Sequence, residues 1–538
     1  MKAWTLMLLY CLLMKVQAQN RLNTKPTKPD NRPNIILIMA DDMGYSDLGC
    51  YGSIISTPNL DHLAGEGIRF REFYNNAICA PTRASLLTGQ YPHKAGIGFF
   101  DVDLGLPAYQ GYLNKESLTL GEVFREGGYS TLISGKWHVG EDSLSWPLQR
   151  GFDKFFGILK GASNYFNTDS LPIHQEIYPV TLLKNNTRLN PKPDSYYMTD
   201  AIGDHAIEFL NEQNSEGKPF FLYLAFTAPH WPLHARPEDI KKYKGKFDEG
   251  WDVLRARRIE KLKKSGLLLP GQTVSKKDPL IPEWNKLTYD EQKYWTAKME
   301  VYAAMVDIMD QNIGKVLTKV KELKKDRNTM VVFLSDNGSD SRRHNPDPSK
   351  RGKVLNRGPI GTSGSFEYIE RNWAYLNNAP LLQYKTNLHE GGICSPFIAW
   401  FPSKIKGGKI VQGVGHLIDL APTFYELANI NYPKKYNSVM TIPLAGKSLL
   451  PVLFANDTDV KRGEPIFWER AGYRAVRDGK WKLVSDYPSN KWELYYIEID
   501  KGETKDVSKD NLDIVDRLTK AYMIWATQTG VVEYSSLR

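Results

Sequence analysis

Cysteine is scarce in this 538-residue chain: only Cys11, Cys50, Cys79 and Cys394 occur, which excludes a disulfide framework and leaves each thiol to be read by itself. Beyond the N-terminus no apolar stretch approaches the ~20 residues a membrane-spanning helix needs, so no membrane span is expected. Charge of one sign is also missing. The 70 Lys and Arg and 61 Asp and Glu are scattered along the chain with a net charge of +9, a balance that speaks against a nucleic-acid stripe and suits an anionic substrate. No internal repeat is found. With 41% hydrophobic and 24% charged residues, disorder and collagen are unsupported, and a chain of this length can bury a large core without staples.

What is present begins with Met1 to Ala18: a basic start at Lys2, an apolar run Leu6 to Leu13, and Val16-Gln17-Ala18 before Gln19. This pattern predicts a secretory signal peptide over residues 1–18, and therefore an exported protein, periplasmic or secreted, or lysosomal or extracellular in a eukaryotic host. Residues 19–33 are proline-rich and almost devoid of apolar side chains, a flexible linker. From Asn34 onward five runs read as strands buried on both faces: Ile35 to Ala40, Ser130 to Ser134, Phe220 to Ala225, Met330 to Leu334 and Pro396 to Phe401. Between them lie helical periods, best developed from Ala297 to Lys325. Alternating strands and helices predict an α/β fold: a large domain around a mainly parallel or mixed sheet flanked by helices, over 34–440. Short half-alternating runs at Tyr473 to Arg477, Trp481 to Val484 and Trp492 to Ile497, then a helical stretch Asp513 to Thr527, predict a smaller C-terminal domain, 441–538, of antiparallel sheet and helix.

Four of the buried runs are followed by polar clusters: Asp41-Asp42, Gly135-Lys136-Trp137-His138, Pro229-His230 and Asp336-Asn337. Ligands of open α/β sheets bind beyond the carboxyl ends of strands, so one site could collect all four. Three carboxylates and an amide oxygen form an all-oxygen set that suits a hard cation, Ca²⁺ or Mg²⁺, rather than zinc. The plain alternative is that Asp41-Asp42 caps a helix and Asp336-Asn337-Gly338 makes a turn. Two such pairs at equivalent strand ends favour the ligand role. Residues Cys79 to Gly89 (CAPTRASLLTG) describe a short helix with Cys79 at its N-terminus, where free N–H groups favour an anion or a thiolate. A buried structural cysteine is the competing reading.

Cys79-x-Pro81-x-Arg83 followed by Ala-Ser-Leu-Leu-Thr-Gly resembles the signature of the type I sulfatases, whose cysteine is oxidised after translation to formylglycine. Asp41-Asp42-Met43-Gly44-Tyr45, Gly135-Lys136-Trp137-His138, Ala228-Pro229-His230-Trp231-Pro232, Asp336-Asn337-Gly338 and Lys385 before Glu390-Gly391-Gly392 follow in the family's order. The resemblance implies the alkaline-phosphatase-like fold, hydrolysis of sulfate esters and a formylglycine-generating maturation enzyme as partner. It also implies roles. Asp41, Asp42, Asp336 and Asn337 would hold Ca²⁺, which also touches residue 79; Mg²⁺ is the second choice. Cys79, as hydrated formylglycine, would attack sulfur, and His138 would take a proton from its other hydroxyl. Arg83 would hold the formylglycine, Lys136 and Lys385 would grip sulfate oxygens, and His230 would protonate or polarise the departing ester oxygen.

Two other readings remain open on the residues: a phosphatase or phosphodiesterase of the same superfamily, which would want a Ser or Thr nucleophile and a second metal set, and a non-catalytic sulfoglycan-binding protein with an unconverted cysteine. His234 is either a pocket-mouth residue or an ordinary loop histidine. Cys50 and Cys394 are expected to be buried thiols. Of the sequons at Asn185, Asn337 and Asn456, the second is expected to face the metal. The His230-to-His234 run and an insertion from Asp340 to Tyr384 with Phe366, Tyr368, Trp373 and Tyr375 resemble bacterial-type arylsulfatases, so the substrate is an aryl sulfate or a sulfated carbohydrate.

Overall fold

The computed structural model describes residues 30–167, 170–173, 176–190, 195–214, 216–342, 358–454 and 462–537. The signal peptide, most of the linker and Asn456 lie outside them. The last linker residues are docked: Arg32 pairs with Asp30 and donates to Gly127 O at 2.7 Å.

An 11-stranded mixed sheet forms the centre. Its middle is Thr329–Ser335, Asn34–Ala40, Phe220–Ala225 and Ser130–Gly135, mutually parallel in that spatial order. Each is buried along its whole length. Both faces are apolar because both are covered. Ile36 and Ile38 pack with the helices Met198–Asn214 and Tyr289–Glu322 on one side, and Ile35, Leu37 and Met39 with Cys79–Thr88, Leu120–Glu126 and Leu420–Leu427 on the other. Each such fully buried aliphatic side chain contributes about 1.5–3 kcal/mol. Phe397–Trp400, expected as a strand, runs antiparallel to Thr329–Ser335, which makes the sheet mixed.

The long helix expected from Ala297 begins earlier, at Tyr289, behind a capping box in which Thr288 and Glu291 satisfy each other's backbone N–H groups. Its first two turns, YDEQKYWT, carry no apolar stripe and so gave no period. The C-terminal sheet has four antiparallel strands, Ile466–Arg470, Tyr473–Asp478, Trp481–Ser485 and Trp492–Tyr496, with helix Leu512–Thr529 packed on it through Leu518, Tyr522 and Trp525. The first of these strands was not anticipated.

Buried ion pairs join this sheet to the central one. Lys501 meets Glu72 (3.0 Å) and Glu390, Lys482 meets Glu390 (3.0 Å) and Glu503 (2.8 Å), and Arg477 meets Glu72 (2.8 Å). Such a network contributes little against an apolar substitute, but removing one partner strands a buried charge. Lys501→Met is therefore expected to destabilise the fold by about 3–5 kcal/mol, read as a lower denaturant midpoint. An unchanged midpoint would show that Glu72 and Glu390 find compensation elsewhere.

Candidate active site

The carboxyl ends of the four parallel strands deliver the expected side chains to one place. Asp41 and Asp42 follow Ala40, Lys136 and His138 follow Gly135, His230 lies five residues after Ala225, and Asp336 and Asn337 follow Ser335. Cys79 opens the helix Cys79–Thr88, which ends at Gly89 with φ 66°. Lys385 arrives on a loop docked by glycine: a Cβ at Gly338 would stand 1.8 Å from Gly391 O, so the Asp336-Asn337-Gly338 and Glu390-Gly391-Gly392 segments can touch only without side chains. Asp42 (φ 66°) and His138 (φ 58°) both hold the left-handed conformation, which costs about 1–3 kcal/mol each and is retained where geometry serves a site.

The cations are tied to the acids. Lys136 Nζ is 2.6 Å from Asp41 Oδ2, Lys385 Nζ 2.6 Å from Asp42 Oδ1, and Arg83 donates to Asp336 Oδ2 at 3.0 Å and to Lys136 O at 3.1 Å. Asn337 Nδ2 donates to Asp42 Oδ1 at 2.7 Å. Asp41 Oδ1, Asp42 Oδ2 and Asn337 Oδ1 are buried without a hydrogen-bond donor. Three orphaned oxygens of hard donors are what a divalent cation would satisfy. Atoms of Asp41, Asp42 and His230 also lie within 4.8 Å of one another, so the imidazole borders the same space.

Protonation equilibria carry the same message. Burial raises Asp42 to about 7 despite Lys385, and burial together with Asp336 drives Asp41 well above its ordinary range. Asp336 is instead held low: burial opposes its charge, but Arg83, Lys136 and Lys385 outweigh it. Asp41 and Asp42, unlike Asp336, are short of positive charge. Cys79 is the converse case, since burial works to raise its thiol, yet Lys136, His138 and Lys385 bring it down to about 5. Residue 79 therefore sits in a field built for an anion.

The two histidines face different partners. His138 Nε2 lies 3.2 Å from Asp101 Oδ2, and Asp101 is a residue no motif pointed to, because Phe99-Phe100-Asp101 belongs to an aperiodic loop. His230 Nδ1 pairs with Trp231 O at 2.7 Å, and its Nε2 faces Asp42 Oδ2 at 3.5 Å. Burial, then Lys385 and Lys136, holds His230 well below its ordinary value. Tyr165, also unforeseen, donates its hydroxyl toward Thr227 O and His230 O (2.7 and 2.9 Å) and props that loop.

Other expectations sort cleanly. His234 is buried with Nε2 on Ser365 O at 2.7 Å, a loop histidine and not a mouth residue. Cys394 is buried, but Cys50 is only partly so, because the short Gly49–Tyr51 helix lies at the rim of the core. Within the insertion, Phe366 and Tyr368 pack on Trp231 beside His230, whereas Trp373 is locked among Trp251, Trp284 and Phe247 and Tyr375 stacks under Arg255.

Four strand ends bring acids, Lys136 and two histidines around Cys79, with Lys385 joining from a loop, a set whose chemistry suits an anionic ester. The sulfatase family model matches residues 33–430, and the model of the C-terminal part of N-sulphoglucosamine sulphohydrolase matches 383–524. An arylsulfatase of Klebsiella aerogenes is 36% identical over 78% of this chain and 91% of its own length. The N-acetylgalactosamine-6-sulfatase of Canis lupus familiaris is 28% identical, covering 92% and 79%. Among solved structures, Ps i-CgsB in complex with k-i-k-neocarrahexaose superposes with a TM-score of 0.68 at 29% identity, over 92% of this chain and 93% of that one. The chain belongs to the sulfatase family. It is a hydrolase of sulfate esters.

Proposed function

We propose that this sulfatase cleaves sulfate monoesters of a carbohydrate, with aryl sulfates as workable assay substrates, at a Ca²⁺ centre beside a formylglycine made from Cys79. One observation carries the reading: orphaned Asp41 Oδ1, Asp42 Oδ2 and Asn337 Oδ1 share a buried space with Cys79, Lys136 and Lys385. The neocarrahexaose of one solved relative and the N-acetylgalactosamine-6-sulfatase homology support a sugar; the arylsulfatase homology supports the assay. When in place, the cation supplies fixed positive charge for sulfate oxygens, and the hydrated aldehyde supplies an attacking oxygen and a second hydroxyl.

This chain's own residues do the rest. Asp41, Asp42, Asp336 and Asn337 would hold the cation, Arg83 and the helix N-terminus would orient residue 79, and Lys136 and Lys385 would take sulfate oxygens, the charge stabilisation on which such transfers depend. His138 accepts the proton of the second hydroxyl. Because Nδ1 of His230 keeps its proton on Trp231 O, Nε2 is the nitrogen left for the departing oxygen, and it donates there only when the ring holds a second proton, against the burial and the lysines that disfavour it. A second metal set, which a phosphatase of this fold would want, has lysines in its place. The signal peptide, export, a maturation partner and a catalytic unit 34–440 with a C-terminal unit 441–538 belong to the same reading. No helix among the described residues is long and apolar enough to cross a membrane.

Intact-peptide mass spectrometry across Cys79 tests the proposal: an aldehyde in active protein supports it, and a thiol in fully active protein overturns it. Asp101 acts through His138 as a positioning residue. Asp101→Asn is expected to lower kcat by about 10–100-fold with KM little changed, while Asp101→Glu recovers part of the loss. Equal effects on kcat and KM, or none, would remove Asp101 from the mechanism.

A further inference from the structure

One more cation stands beside the site. Arg342 has its Cζ 4.9 Å above the Trp231 ring and 6.0 Å from that of Tyr368, and Phe366 closes the cluster at 5.6 Å from Trp231 and 5.5 Å from Tyr368. Trp231 in turn lies 4.5 Å, ring to ring, from His230. The wall is anchored by Asp340, whose Oδ2 accepts from Trp231 Nε1 at 3.1 Å and whose Oδ1 accepts from Arg342 N at 2.8 Å. Asp340 Oδ2 stands 4.0 Å from Arg342 Nε on one side and 4.0 Å from Lys385 Nζ on the other.

Exposure separates Arg342 from the other cations. Arg83 and Lys136 are fully buried, Lys385 is 4% exposed by its side chain, and each is within 3.0 Å of a carboxylate of Asp336, Asp41 or Asp42. The Arg342 side chain is 47% exposed, and its Asp340 contact is too long for a hydrogen bond. With its Cζ over the Trp231 ring, the guanidinium carries a planar fork of N–H donors that matches a carboxylate or a sulfate. Asp340 divides two positive positions, Lys385 within and Arg342 toward solvent. Two anions at a spacing of about one sugar residue fit that division, and the buried cluster of Trp231, Phe366 and Tyr368 serves to hold Arg342 in place.

We propose that Arg342 on its Trp231–Tyr368 wall reads a second anionic group of the substrate, so that the preferred ester is a sulfated sugar bearing another sulfate or a carboxylate nearby. This rests on the sulfated-carbohydrate reading above, and Arg342 is a specificity residue within it. The test uses the full chain as Cys79→Ala, with Ca²⁺ present, titrated calorimetrically with three probes: N-acetylgalactosamine 6-sulfate, its 4,6-disulfate, and the 6-sulfate linked to a hexuronate. At least one doubly charged probe is expected to bind about 10-fold tighter than the monosulfate, a gain that shrinks with added salt. In Cys79→Ala/Arg342→Ala the gain is expected to fall to about 2-fold or less, and Arg342→Lys to keep part of it. Tighter binding of the disulfate alone assigns the second group as sulfate, and of the hexuronate alone as carboxylate. Equal affinities for all three probes, a gain that survives Arg342→Ala, or no binding of any probe overturns the proposal. Sulfate release from 4-nitrophenyl sulfate by the unmutated protein, measured alongside, shows separately whether the hydrolase reading stands.

Discussion

Replacing Cys79 by alanine is expected to lower kcat/KM for any sulfate ester by roughly four to six orders of magnitude, the scale on which an enzyme loses its nucleophile. The fold should survive, because a small side chain at the first position of the Cys79–Thr88 helix leaves its buried contacts through Ala80, Ala84, Leu86 and Leu87 intact. Cys79→Ser separates the two hydroxyl functions. It keeps one oxygen able to attack sulfur and lacks a second able to expel sulfate, so it is expected to release at most one alcohol per chain and then stop. A serine variant that turned over repeatedly at the normal rate would show that the second hydroxyl, and hence formylglycine, is not needed. Burst and steady-state rates measured on one preparation distinguish the cases.

Withdrawal of the divalent cation is the second large effect. With a chelator of calcium, sulfate release is expected to fall by about 100-fold or more, since fixed charge at the reacting group is the main resource of such a site. Stability should fall with it: a cation present at 100 times its Kd stabilises the folded state by about 2.7 kcal/mol. Thermal unfolding of the apo protein should therefore rise on adding Ca²⁺. In Asp42→Asn the rise should largely vanish, because the orphaned Oδ2 that faces the cation space loses its charge. Full activity in excess chelator would contradict the calcium reading, and an unchanged calcium response in Asp42→Asn would move the ion elsewhere.

Much of this was legible along the chain because the central strands are buried on both faces. Asn34–Ala40, Phe220–Ala225 and Thr329–Ser335 carry no alternation to confuse, and each is punctuated by polar residues where the sheet ends. The strand Ile68–Tyr74, paired on one side by Phe397–Trp400 and on the other by Lys409–His416, was not legible for the opposite reason: its sequence IRFREFY mixes arginine and glutamate into the run, and parts of it are only half buried. Helix Gly250–Ser265 escaped because its surface is so charged that the buried Trp251, Leu254 and Leu262 are diluted. At the site, residues inside motifs were found and residues outside them were not, as Asp101, Tyr165 and Arg342 show.

The linear order of residues determined which chemistry is available here: the acid pairs, Lys136, the two histidines and the cysteine follow recognisable strand ends or open a helix, where local pattern is enough to place them, and Lys385, on a loop, was named by the family resemblance alone. Only the tertiary structure decided which atoms are left over. That Asp41, Asp42 and Asn337 each keep an unsatisfied oxygen, that Asp101 backs His138, that His234 turns inward and that Arg342 lies across Trp231 are outcomes of packing between segments up to 300 residues apart. Such contacts depend on distances and directions set by the whole fold, and no local period encodes them.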